Sequence, residues 1–136
     1  MLTRNELNSI PIKIRNIRRS KARIEKMRAK LYSPQGFDDR ERVQTSGGQR
    51  DELVDMVLDF ESLMQAEQRE VDELSEQARA MFERLDPEPK QLMTLRYIEA
   101  LSWPEIAEVM MYAPPTLFKK HRQIMDTLYP EGKETE

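Results

Sequence analysis

The sequence predicts an all-α protein in which a long helical hairpin (coiled coil) is followed by a small helix-turn-helix bundle. The chain has 136 residues, 35% charged and 38% hydrophobic, a balance typical of long amphipathic helices. Apolar residues recur every three or four positions, and neither period-two alternation nor a β-hairpin turn sequence occurs. We expect the hairpin over residues 1–85, the helix-turn-helix over residues 86–130, and a disordered tail over residues 131–136.

The first helical segment opens on a capping-box pattern. Thr3 is followed three residues later by Glu6, a spacing at which each side chain accepts a hydrogen bond from the other residue's backbone N–H. Pro11 follows soon afterwards, and a proline inside a helix lacks a donor and collides with the preceding turn. We therefore expect a short first turn and a main helix that begins near Ile10, with Ser9 as its N-cap.

The second helical segment has the regular spacing of a coiled-coil seam. Its positions advance by four and three residues in turn, with one polar break: Leu53, Val57, Phe60, Met64, Glu67, Val71, Leu74, Ala78, Met81 and Leu85. The first segment carries a weaker version of this seam, interrupted by Lys21. In an antiparallel pair with Leu31 opposite Val57, this lysine falls opposite Glu67, and the two charges would fix the register.

Charge is segregated along the chain, whose overall net charge is −3. Residues 1–30 carry ten basic and two acidic side chains, a net charge of +8, whereas residues 50–88 carry four basic and thirteen acidic ones, a net charge of −9. Two helices of opposite charge neutralise each other when they lie side by side. The sequence thus predicts a basic arm against an acidic arm, joined by a mobile loop over residues 33–49. Pairing between two chains satisfies the same pattern, and we expect a homo-oligomer.

The outward face of the basic arm holds more charge than a seam can neutralise. Its residues are Arg15, Arg18, Arg19, Arg23 and Lys26. Neutralisation by the acidic arm is the favoured interpretation, because that arm matches it in length and opposes it in sign. Contact with nucleic acid is the alternative, and the two are partly compatible.

The C-terminal part is organised as a helix-turn-helix. Ser102 and Glu105 form a second capping-box pattern, with Pro104 in the first turn, where its missing donor does no harm. After a short break, a second helix is predicted from about Pro114 to Tyr129. Two helices joined by a three-residue turn have the geometry that lays the second helix in the major groove of DNA. The residues expected to face inward are Ile106, Val109, Met110, Leu117, His121, Ile124 and Leu128.

The outward face of the second helix supplies the candidate DNA-binding residues, which are Pro115, Thr116, Lys119, Lys120, Arg122 and Gln123. Lysine and arginine neutralise phosphates, while Thr116 and Gln123 are suited to base edges. Pro115 offers an apolar contact, for example to a thymine methyl. The single histidine, His121, is expected to be a packing residue with one polar partner.

These residues resemble a known family. Residues 95–107 read Leu-Arg-Tyr-Ile-Glu-Ala-Leu-Ser-Trp-Pro-Glu-Ile-Ala, which is similar to region four of bacterial sigma factors. Residues 112–121, Tyr-Ala-Pro-Pro-Thr-Leu-Phe-Lys-Lys-His, resemble small phage and prophage regulators of the ArpU/RinA late-gene type. The resemblance implies a sigma-like helix-turn-helix that binds double-stranded promoter DNA. The modest charge of this motif makes RNA polymerase a possible further partner. Because the N-terminus lacks the apolar core of a signal peptide, we expect the protein in the cytoplasm, here of a bacterial host cell.

Two residues depart from the family pattern at the turn. Met111 stands where the pattern has a left-handed glycine, and a residue with a Cβ pays a steric cost in that conformation. Ala113 stands where the recognition helix has a serine N-cap, and alanine cannot cap. The two following prolines partly offset this, because they pre-set the backbone at the helix start. We therefore expect the turn to differ in shape from that of the family.

Composition argues against an enzyme, a cofactor or a metal site. The chain has no cysteine and one histidine, and it contains no glycine-rich phosphate loop. No apolar run is long enough to cross a membrane, so no membrane partner is expected. Two alternatives to a DNA-binding regulator are a protein-interaction adaptor that docks on RNA polymerase and a small terminase-like DNA-recognition subunit of a phage packaging complex.

Overall fold

The computed structural model describes residues 1–32 and 39–130, and within these it confirms the all-α prediction. The described residues contain no strand and form α1 (Arg4–Tyr32), α2 (Asp39–Phe82), α3 (Pro87–Met93), α4 (Trp103–Met110) and α5 (Pro114–Leu128). A π-helical stretch, Thr94–Ile98, continues α3. None of the helices in these ranges is both long and apolar enough to span a lipid bilayer. The tail expected over residues 131–136 lies outside the described residues.

Helix α1 starts as predicted but is not interrupted near Ser9. The backbone N–H of Thr3 donates to Glu6 Oε1 at 2.9 Å and that of Glu6 to Thr3 Oγ1 at 3.1 Å, which confirms the capping box. The helix then runs through Pro11, so the prediction of Ser9 as an N-cap is wrong; its hydroxyl instead donates to the carbonyl of Glu6 at 2.7 Å. Burial of apolar residues on both sides of the proline outweighs the roughly 3 kcal/mol that an internal proline costs.

The chain divides into two compact units, which we call unit 1 and unit 2. Unit 1 consists of Met1–Arg15 and Glu70–Glu136, and unit 2 is Asn16–Arg69. This division differs from the expected boundary at Asp86, because the arm ends belong to the same unit as the helix-turn-helix. The apolar spacing of α2 continues through the boundary without a slip, so the sequence pattern carries no mark of it.

In unit 2, α1 and α2 pack together within the one chain. Ile24, Leu31 and Val57 form a buried cluster, which confirms the predicted antiparallel pairing of Leu31 with Val57. An ion pair joins Arg28 to Glu61 across the two helices. These contacts join the two arms of the hairpin within one chain.

The charged pair expected in the seam of unit 2 does not form. Lys21 and Glu67 are both exposed, and no ion pair joins them within the described part of the chain. A two-helix seam is narrow, so a long charged side chain at its edge reaches water with little cost. An exposed ion pair between such side chains would add little stability.

Helix α2 begins earlier than the sequence predicts. Its backbone is helical from Asp39, whereas a loop was expected as far as Gln49. Gly47 and Gly48 indicated a linker because each glycine costs about 1 kcal/mol in a helix interior relative to alanine. Residues 33–38 of that expected loop lie outside the described residues.

The core of unit 1 combines the N-terminal turns of α1 with the end of α2 and the C-terminal helices. The buried residues are Leu2, Leu7, Ile10, Ala78, Met81, Phe82, Leu92, Met93, Tyr97, Ile106, Leu117, Ile124, Met125 and Tyr129. Residues far apart in the sequence meet directly in this core, since the Tyr129 hydroxyl donates to the carbonyl of Leu2 at 2.8 Å. Arg4 also lies over the Tyr129 ring, 5.6 Å from its centroid. The helix-turn-helix is therefore built on residues from the start of the chain.

Candidate nucleic-acid interface

The first helix of the motif, α4, begins at the predicted capping box. The backbone N–H of Ser102 donates to Glu105 Oε1 at 2.8 Å, and that of Glu105 donates to Ser102 Oγ at 3.3 Å. Pro104 occupies the first turn, where it leaves no donor unpaired. Ile106 is fully buried, but Val109 is 51% exposed, so the prediction that it faces inward is wrong.

The turn between α4 and α5 has the expected left-handed residue. Met111 has φ 60° and ψ 42°, in the region that favours glycine, and its side chain is 87% exposed. Ala113 caps α5 with an extended backbone and makes no side-chain cap hydrogen bond. The chain therefore closes the turn without either of the two residues that usually stabilise it.

The beginning of α5 offers no free backbone N–H group. Pro114 and Pro115 have no backbone donor, and the N–H groups of Thr116 and Leu117 both reach the carbonyl of Ala113, at 3.0 and 3.2 Å. In many helices the first N–H groups are unpaired and bind phosphate. A phosphate contact at the start of α5 would therefore have to come from side chains.

The inward face of α5 is close to the one predicted. Leu117, Ile124 and Met125 are buried, and His121 and Leu128 are partly buried. His121 has the single polar partner expected of it: its Nε2 lies 2.8 Å from the Tyr97 hydroxyl, which donates to Asn8 Oδ1 at 3.2 Å. Because that hydroxyl has one hydrogen, both contacts are satisfied when neutral His121 carries its proton on Nε2.

Burial keeps this chain of hydrogen bonds neutral. Desolvation lowers the pKa of His121 to about 4, with further contributions from the nearby charges of Arg96 and Arg4. Desolvation also raises the pKa of Tyr97 to about 12. At neutral pH these hydrogen bonds therefore link α1 to α5 through uncharged groups, and they hold the orientation of α5.

Trp103 anchors α4 against α5. Its ring meets Phe118 edge-on at 5.3 Å between centroids, and it meets His121 in the same manner at 5.0 Å. Arg96 lies over the Trp103 ring at 4.7 Å, and its Nη1 donates to the carbonyl of Leu101 at 3.1 Å. These contacts fix the angle between the two helices of the motif.

The structure exposes most of the predicted contact residues on one surface of α5. We call this surface the α5 face; its exposed members are Pro115, Thr116, Lys119, Arg122 and Gln123. Lys119 and Arg122 supply its two positive charges. Exposed acidic residues occur in the same motif at Glu105, Glu108 and Asp126, so the motif as a whole is close to neutral.

Lys120 differs from the other predicted contacts because it binds within the protein. Its Nζ lies 3.3 Å from Glu88 Oε1 and 4.8 Å from the centroid of the Tyr112 ring. Tyr112 also donates its hydroxyl to the other oxygen of Glu88. These contacts tie α5 to the start of α3 and to the turn.

Charge and hydrogen bonding stabilise the ionised forms of Glu88 and Lys120. The hydrogen bond from Tyr112, and after it that from Lys120, lowers the pKa of Glu88, and Glu88 in turn raises the pKa of Lys120. Sequence reasoning missed Glu88 and Tyr112. The sequence shows an acidic residue, Glu88, at a proline-rich helix start, but its partner Lys120 lies 32 residues further along the chain.

Comparisons with family models, curated proteins and solved structures find no match to this chain. The geometry of the motif and the residues on its surface are therefore the basis for a functional proposal. The α5 face is the relevant surface, because it is exposed, lies on a rigidly held helix, and carries both charged and hydrogen-bonding side chains.

Proposed function

We propose that this protein is a phage-type transcription regulator that binds double-stranded promoter DNA through the α5 face. The observation that carries the proposal is the arrangement of α4, a three-residue turn and α5, with Thr116, Lys119 and Arg122 exposed on the second helix. This is the arrangement in which a recognition helix enters the major groove. The resemblance to sigma region four and to ArpU/RinA-type late-gene regulators supports the same function.

The residues of the α5 face divide into two roles. Lys119 and Arg122 contact phosphates, which position the protein without reading the sequence. Thr116 and Gln123 hydrogen-bond base edges, and Pro115 contacts a thymine methyl. Lys120 holds α5 against Glu88 and is a positioning residue in this proposal.

The charge of the motif bears on how it binds. Residues 89–130 carry five basic and four acidic side chains, so α5 alone provides little electrostatic attraction to DNA. A homo-oligomer would place two such helices on one duplex, and contact with RNA polymerase would add further binding energy. We propose that DNA binding occurs with such a partner.

The test begins with selection of duplexes from a random-sequence library by the full chain. Binding of the selected duplex is then measured by fluorescence anisotropy for the parent and for Lys119→Ala/Arg122→Ala. The control, Lys21→Ala/Arg69→Ala, also removes two exposed positive charges, but from unit 2. We expect the α5 variant to weaken binding at least about tenfold and to reduce the salt dependence by about 1.8 in log–log slope, or 0.9 for each phosphate contact.

Unchanged affinity of the α5 variant would contradict the assignment of α5 as the recognition helix. Equal losses in the α5 variant and the control would mean that only net charge matters. Circular dichroism melts of all three proteins establish that each is folded at the temperature of the assay.

A second candidate function is favoured by apolar residues on the surface of the motif. Val109, Met111 and Phe118 are 51%, 87% and 46% exposed. Exposed large apolar side chains occur where proteins dock on one another. In this alternative the motif is an adaptor that binds RNA polymerase without reading bases. Retention of polymerase on the immobilised protein, together with failure to enrich any duplex, would favour the adaptor.

A further inference from the structure

Unit 2 has a straight line of positive charge along α1. The residues are Arg19, Arg23, Lys26 and Lys30, which we call the basic stripe. Their spacing of four, three and four residues returns to the same face of a helix at each turn. All four side chains are exposed. At 1.5 Å per residue the stripe is about 16 Å long.

The basic stripe faces away from the hairpin seam. The buried residues Ile17, Ile24 and Leu31 lie about 130° round the helix from it, at 100° per residue. The ion pair between the arms of unit 2 uses Arg28, which is on the seam side. Within the residues that the structure describes, no ion pair involves the stripe. The four side chains of the stripe therefore lie away from the seam contacts with α2.

We propose that the basic stripe binds the sugar-phosphate backbone of duplex DNA, independently of base sequence. This inference rests on the proposed function and extends it, because it supplies the electrostatic attraction that the motif in unit 1 lacks. A strand of duplex DNA has one phosphate per 3.4 Å along the axis, so about 16 Å of stripe passes several phosphates. Side chains that neutralise phosphates release counterions, which is a favourable contribution at physiological salt.

The chemistry of the stripe favours phosphates over a protein surface. Its immediate neighbours include Ala22 and Ala29, and it contains no large apolar side chain. Protein interfaces are built round an apolar or aromatic centre and are depleted in lysine. A contact made only by exposed ion pairs contributes little. The acidic outward residues Asp51, Asp55 and Asp59 of a second copy are the competing partner, and the experiment below includes them.

The test compares two variants of the full chain that have the same net charge. Arg23→Gln/Lys26→Gln removes two charges from the stripe, and Lys21→Gln/Arg69→Gln removes two exposed charges elsewhere in unit 2. Binding is measured from 50 to 200 mM salt on the selected duplex and on a scrambled duplex of equal length. We expect the stripe variant to weaken binding to both duplexes by a similar factor. Raising the salt from 50 to 200 mM lowers the affinity of the parent by some factor, and for the stripe variant that factor should be about 12-fold smaller, because two phosphate contacts are removed. The control should match the parent.

Three results would overturn the inference. The stripe variant could bind both duplexes as tightly as the parent, it could match the control, or it could change the molar mass of the protein in light scattering, which would identify a second copy as the partner. The variant Lys119→Ala/Arg122→Ala separates this inference from the proposed function. If only that variant loses affinity, the stripe is not a DNA contact; if only the stripe variant loses affinity, α5 is not the recognition helix.

Discussion

Replacing Met111 with glycine is expected to stabilise the protein by about 0.5–1 kcal/mol. Met111 has φ 60° and ψ 42°, and this left-handed conformation costs a residue with a Cβ about 1–2 kcal/mol. Glycine removes that cost, but it also gives the unfolded chain more conformational freedom, and this entropy offsets roughly half of the stabilisation. The methionine side chain is 87% exposed, so its removal forfeits little buried apolar area.

Thermal unfolding measures this effect directly. For a chain of this length, we expect the melting temperature of Met111→Gly to rise by about 2–4 °C. Met111→Ala is the matched control, because it removes the same side chain beyond Cβ and keeps the atom that causes the steric cost. The reasoning is refuted if the glycine variant melts no higher than the alanine variant.

Three further predictions concern unit 1. His121 is held neutral by burial, with its pKa lowered to about 4, so its contribution to stability is complete above pH 6.5 and is lost as the pH falls toward 4. For a fully buried ring this pH change would lower the free energy of unfolding by about 3 kcal/mol, and partial exposure of the ring reduces the loss to about 1–2 kcal/mol. Urea unfolding should show this loss between pH 7 and pH 4.5 in the parent, and it should be absent in His121→Gln. Ser102→Ala removes the cap of α4 and should lower the free energy of unfolding by about 1 kcal/mol, with Ser102→Asp restoring most of it; equal stability of all three would argue against the cap. Tyr97→Phe leaves His121 without its partner and should cost about 1–3 kcal/mol in urea unfolding, so a neutral effect would mean that water replaces the hydroxyl.

Local features of the fold were predictable from sequence, and features that depend on distant residues were not. Both capping boxes formed as expected, because each depends on two side chains three residues apart. The helix through Pro11 was missed, since its cost is met by burial that only the complete unit 1 core provides. The division of α1 and α2 between the two units likewise depends on contacts between residues distant in sequence.

The candidate site was predictable in outline. The α5 face follows from helical periodicity once Leu117 and Ile124 are assigned to the core, and both are buried. The left-handed conformation of Met111 followed from its position in the turn. The ion pair between Lys120 and Glu88 could not be predicted, because periodicity places a residue on a helix face but does not identify its partner on another helix.

The hydrogen bond between Tyr129 and Leu2 joins residues that are 127 positions apart. During synthesis the N-terminal turns of α1 leave the ribosome well before the C-terminal helices that help to bury Leu7 and Ile10. Contacts this distant in sequence close large loops and form slowly. The proposed recognition helix therefore acquires its supporting core only when translation of residues 1–130 is complete. A fragment that starts at Asp86 would lack the apolar residues of α1 and α2 that pack in the same core, so α5 would lose part of its support.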